Sequence, residues 1–102
     1  MKHGKLVRDG IPEHIARKGG THRKHAAGEV EYWQKLLEKL QEEVNEFMKD
    51  QNEEELADVL EVIDAICKFK NFDRTRIMEV KNEKLRKRGG FEKRIVLDES
   101  KS

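Results

Sequence analysis

The stretch whose reading decides the fold is residues 29–69, EVEYWQKLLEKLQEEVNEFMKDQNEEELADVLEVIDAICKF. Trp33, Leu36, Leu37, Leu40, Val44 and Phe47 recur at three- and four-residue spacing, the period of one buried helix face. Glu29 and Glu31 fall in the first turn, where a helix favours acids. Lys49-Asp50-Gln51-Asn52 interrupts the period, and Asn52 with Glu55 three residues later reads as an N-cap and its capping-box partner. A second helix follows from about residue 53 to residue 69. Its apolar residues Leu56, Val59, Leu60, Val62, Ile63, Ile66 and Cys67 cover more than one face, which predicts a central helix packed on two sides.

Outward from this pair the signals are shorter. Pro12 fits the first turn of a brief helix to about Lys18, stopped by Gly19-Gly20, and residues 21–28 read as a loop. Asp73 can cap a further helix to about Arg88, ended by Gly89-Gly90. Lys5-Leu6-Val7-Arg8 is a short extended segment, and residues 91–97 alternate loosely enough to pair with it as a strand. The expected fold class is all-α, an antiparallel hairpin or bundle of about four helices with a short terminal strand pair.

At 102 residues the chain has room for one domain. With 35% hydrophobic and 42% charged residues a monomer buries only a modest core, so a homodimer or homotetramer is expected. Regular apolar spacing argues against disorder. The single cysteine excludes an internal disulfide and a multi-cysteine zinc site. Neither an apolar run of membrane length nor a secretory leader is legible, and a cytoplasmic protein is expected.

The net charge of +1 conceals segregation: residues 38–64 carry 11 acidic and 2 basic side chains, residues 68–94 carry 11 basic and 4 acidic. An acidic centre between basic flanks can take a cation and, through it, a polyanion. Solvated helix faces are the other reading of such runs.

Four carboxylates carry the chemistry: Glu43 and Glu46 on the first long helix, Glu55 and Asp58 on the second. Each pair is spaced i, i+3, so its members share a face about 4.5 Å apart along the axis. A short turn makes the two helices antiparallel neighbours, in which residues lie level when their numbers have a common sum. Glu46 with Glu55 and Glu43 with Asp58 satisfy the same sum. The acids therefore form two rungs able to face across the groove, where their repulsion calls for a bridging cation. Oxygen ligands select Mg²⁺, Mn²⁺ or Ca²⁺, and Mg²⁺ commonly joins carboxylates to substrate phosphates. The competing reading leaves Glu55 as a capping partner, and Glu43 or Glu46 in exposed pairs with Lys39 or Lys49.

The run Leu40-Gln41-Glu42-Glu43-Val44-Asn45-Glu46 followed by Glu55-Leu56-Ala57-Asp58 resembles the EExxE…ExxD motif of the MazG-like all-α NTP pyrophosphatases. Lys5-Leu6-Val7-Arg8-Asp9 with Ile11-Pro12-Glu13, residues 54–63, and Lys87-Arg88-Gly89-Gly90-Phe91 are similar to a compact branch related to phosphoribosyl-ATP pyrophosphohydrolase. The likeness runs from Lys5 to about Leu97 and implies a single MazG-like domain over residues 1–102. It implies a Mg²⁺-dependent hydrolase that cleaves the α–β phosphate bond of a nucleoside triphosphate to the monophosphate and pyrophosphate, clearing unusual nucleotides. By motif position the metal ligands would be Glu43, Glu46, Glu55 and Asp58, with Mn²⁺ as a substitute cation. Glu42, Glu43 and Glu61 are the catalytic candidates, through positioning of water. Only eight residues separate Glu46 from Glu55, so the loop that helps define nucleotide pockets in relatives is nearly absent.

Lys5, Arg8, Lys81, Lys84 and Arg88 are the candidates to receive substrate phosphates. Cys67 reads as core, and His22 and His25 as surface residues. Gly89-Gly90 could offer amides to phosphate, although a helix-ending cap explains them as well. The rivals are phosphoribosyl-ATP hydrolysis and a non-enzymatic helical module that binds nucleic acid or protein. No membrane partner and no stable nucleic-acid partner are expected of the enzyme.

Overall fold

A computed structural model describes residues 4–101, and among them every regular element is a helix: α1 (Ile11–Arg17), α2 (Glu29–Asp50), α3 (Glu53–Lys70) and α4 (Arg74–Arg88). The fold class is all-α, as the apolar periods predict. The chain divides into two compact units, one ending at Asn71 and the other starting at Phe72.

In the first unit α2 and α3 pack against each other as a hairpin. The reversal takes two residues. Gln51 adopts the left-handed region (φ 42°) and its N–H donates to Phe47 O at 2.7 Å, which closes α2. Asn52 turns extended, and its Oδ1 accepts from Glu55 N at 2.9 Å, which opens α3. So short a link forces the helices antiparallel. At their far end Tyr32 and Phe69 meet edge-on at 5.3 Å between ring centroids, in the same register as Glu46 with Glu55. Trp33 stacks on Phe69 at 5.8 Å, with Lys70 Nζ 4.2 Å from the centre of its ring.

The buried side chains of the hairpin are Leu36, Val62, Cys67 and, unexpectedly, Glu43. Leu37, Leu56 and Leu60 stay 45%, 46% and 54% exposed, because two helices can cover only the facing stripe of each other. The expected two-sided burial of α3 is therefore not achieved by the described residues of the chain itself. Cys67 lies in the core as expected. Near the N-terminus Gly10 precedes α1, Pro12 sits in its first turn, and Gly19 follows its C-cap with φ 82°.

In the second unit Asp73 caps α4 by accepting from Thr75 N at 2.9 Å, and Gly89 (φ 80°) ends it. The expected strand pair does not form: neither residues 5–8 nor residues 91–97 are strand. Phe91, Ile95, Val96 and Leu97 are 75–98% exposed. Alternation alone supplies no partner edge, and an isolated pair of short strands is marginal in water. No helix of the described residues is long and apolar enough to cross a membrane.

Candidate metal centre

The hairpin register determines where the acids stand. On α2, Leu36, Leu40, Glu43 and Phe47 follow one another at four, three and four residues, so Glu43 occupies a slot of the apolar stripe rather than the solvent face. It is only 8% exposed, and its charge is met by Lys39, one turn back on the same helix, at 3.2 Å. On α3, Glu55 is in the corresponding stripe, seven residues before Val62 and fourteen before Phe69. Asp58 lies one turn further along and is half-buried.

These placements bring Glu43, Glu55 and Asp58 together, each with a carboxylate oxygen within 4.8 Å of the others. Glu46 joins Glu55 in an adjoining group that includes Asp50, with the same limit of separation. All four acids of the two-rung arrangement thus belong to one connected cluster, with Glu55 common to both groups. Asp50 was missed by the sequence reading. It sits four residues after Glu46, the spacing of one helix face, and that signal was available.

The electrostatics mark Glu55 as the strained member. Partial burial, then the charges of Asp58, Glu46, Asp50 and Glu43, hold its carboxyl above the usual carboxylate range. Among the described residues no basic side chain pairs with it. Capping explains the backbone of Glu55, since its N–H is the group that Asn52 accepts; it does not explain where the carboxylate is held.

Such a cluster fits a hard divalent cation. Its donors are all carboxylate oxygens, the ligand type that hard divalent cations such as Mg²⁺ and Mn²⁺ prefer. Glu43, Glu55 and Asp58 would hold the ion, with Glu46 at the neighbouring position.

The remaining candidates are distributed differently. Glu42 points to cations: Lys5 Nζ is 2.9 Å and Lys39 Nζ 3.5 Å from its Oε1. Burial opposes its ionisation, but the Lys5 hydrogen bond and the charges of Lys39 and Lys5 outweigh that and keep its carboxyl below the usual range. The same bond raises Lys5 above the usual lysine range. A carboxylate held ionised by two lysines is a poor proton acceptor, which weakens Glu42 as a base. Glu61 is exposed on α3 and belongs to neither acidic group.

Arg8, expected at phosphate, instead reaches Asp58, with Nη2 2.7 Å from Oδ1. Lys81, Lys84 and Arg88 are exposed on α4 in the second unit. There Lys84 and Arg88 line a shallow groove with Arg76, Val80, Glu83 and Lys87. His25 is exposed and bonded to Glu31 at 2.9 Å, and His22 is exposed. Gly89 serves as the C-cap of α4. No family model, curated protein or solved structure matches this chain.

Proposed function

We propose that the protein is a Mg²⁺-dependent nucleoside triphosphate pyrophosphohydrolase of MazG-like type, giving a nucleoside monophosphate and pyrophosphate. The observation that carries this reading is the meeting of Glu43, Glu55 and Asp58 across the hairpin, with Glu46 adjoining. Glu43 and Asp58 already have Lys39 and Arg8 beside them, but Glu55 has no basic partner among the described residues, and the neighbouring acids that raise its carboxyl make a place that a cation would relieve. The resemblance of residues 40–46 and 55–58 to the EExxE…ExxD motif supplies the reaction type. Mn²⁺ would substitute for Mg²⁺.

A bound divalent cation would neutralise phosphate oxygens and acidify a water. The chain's own part is to orient. Glu43 is fixed by burial and Lys39, and Glu55 is held by its position in the first turn of α3. Glu46 is exposed and makes no direct ion pair among the described residues, although it feels the charge of Lys5, and its carboxylate is placed to accept a hydrogen bond from an attacking water. Arg8, in the same unit as the acids, is a cation able to receive phosphate. We further propose that two or more copies assemble over the exposed leucines of the hairpin.

The test is a panel of nucleoside triphosphates incubated with the protein and Mg²⁺, scoring pyrophosphate separately from phosphate. Release of pyrophosphate with equimolar monophosphate supports the reading, and no turnover of any nucleotide contradicts it. Phosphoribosyl-ATP belongs in the panel, because residues 54–63 and 87–91 resemble a branch related to that activity. A second reading, a module that binds nucleic acid, draws on the many exposed basic residues of α4. It predicts binding that falls steeply with salt and no pyrophosphate.

A further inference from the structure

Arg8 and Lys5 lie far from the hairpin in sequence, yet both end on its acids. Arg8 Nη2 is 2.7 Å from Asp58 Oδ1 on α3, and Lys5 Nζ is 2.9 Å from Glu42 Oε1 on α2. Residues 5–8 form no helix or strand, so these two ion pairs tie a short non-regular segment to both helices of the hairpin. The two anchors differ in one respect. Asp58 belongs to the group with Glu43 and Glu55, whereas Glu42 belongs to neither acidic group.

We propose that Arg8 is an exchangeable counter-ion: it occupies Asp58 in the metal-free protein, a divalent cation displaces it, and the freed guanidinium becomes available to an anionic substrate. This inference rests on the reading of Glu43, Glu55 and Asp58 as a cation site. The single negative charge of the Asp58 carboxylate, divided between a guanidinium and a divalent ion, serves each less well than it would serve either alone. The two cations also repel, so binding one weakens the other. The exchange is easy because the Arg8–Asp58 pair is exposed, at 56% and 41% for the two side chains, and exposed pairs contribute little. Lys5 keeps its hold on Glu42 throughout, so the segment stays tethered at one end while Arg8 swings. A divalent cation is thereby coupled to the arrival of phosphate: the ion supplies one positive charge centre and releases another.

Titration of the full chain with Mn²⁺ alone, by calorimetry, tests this with three proteins. Arg8→Gln should bind Mn²⁺ about two- to fivefold more tightly than wild type, the range set by an exposed ion pair. Lys5→Gln removes the same charge from the same segment; that charge also reaches Glu43 and Glu46 through space, but Lys5 is bonded to Glu42 and covers no oxygen of a proposed ligand, so the affinity should change by less. Equal or weaker binding by Arg8→Gln, or an equal gain from both variants, would overturn the exchange. In the metal-free protein the NMR signal of the Arg8 Nε–H group then separates this idea from the metal reading. Asp58→Asn should shift that signal relative to wild type, and an unchanged signal would remove the contact itself. A shifted signal with no Mn²⁺ bound by wild type or Arg8→Gln would leave the contact in place and overturn both the metal site and the competition.

Discussion

Glu55 stands where four neighbouring acids raise its carboxyl above the usual range, after the contribution of its own partial burial. A carboxyl raised by folding favours the protonated native state, so its stabilising effect is full below the unfolded pKa and is lost as pH rises through the folded value. Glu55→Gln should therefore raise the melting temperature of the metal-free protein at pH 7, and the gain should vanish as pH falls below about 4, where the wild-type carboxyl is protonated in both states. Thermal melts of both proteins across pH 3.5–8 check this; a loss of stability at pH 7 would assign the Glu55 carboxylate to capping instead. Glu42 has the opposite sign, since its lysines lower it and its contribution is lost as pH falls. At this scale the acids were legible from their spacing, because Glu46 with Glu55 and Glu43 with Asp58 share the common sum that brings residues of an antiparallel hairpin level. The partners of Arg8 and Lys5 were not: nothing in a sequence says which acid a distant, flexible cation will choose. Glu43 was legible as a ligand candidate, and its burial could have been read from its slot between Leu40 and Phe47.

The elements follow from local chemistry. Asn52 opens α3 in a two-residue turn, and its side chain satisfies the Glu55 N–H that the helix leaves without a partner. Asn52→Ala should cost about 1 kcal/mol of stability, seen as a lower urea midpoint at unchanged slope. Because this turn also sets the register of the acidic pairs, the variant should weaken Mg²⁺ binding too, and an unchanged metal response would mean that packing alone fixes the register. The helix ends at Asp73 and Gly89 came out as their capping chemistry implies, and α1 and α3 within a residue or two, the usual ambiguity of fraying ends. Residues 91–97 did not. Their alternation is a necessary sign of a strand, but a strand also needs a neighbour to accept its backbone bonds, and that is a property of the whole fold.

For the molecule as a whole, the hairpin buries Leu36, Val62 and Cys67 while leaving Leu37, Met48, Leu56 and Leu60 at 45–65% exposure. So small a core makes a lone hairpin marginal, and a second copy could cover those leucines. Sedimentation equilibrium at micromolar concentration should give a mass of at least twice 12.0 kDa, with Leu56→Glu shifting it toward the monomer; a stable wild-type monomer would oppose the assembly. That the acids of the hairpin hold a divalent cation is tested most directly by melting temperature with and without Mg²⁺ for wild type, Glu43→Gln and Asp58→Asn. Wild type should gain stability by roughly RT ln(1 + [L]/Kd), about 2.7 kcal/mol at a hundredfold excess over Kd, and each variant much less. An equal Mg²⁺ response in all three proteins, or none in wild type, would contradict it.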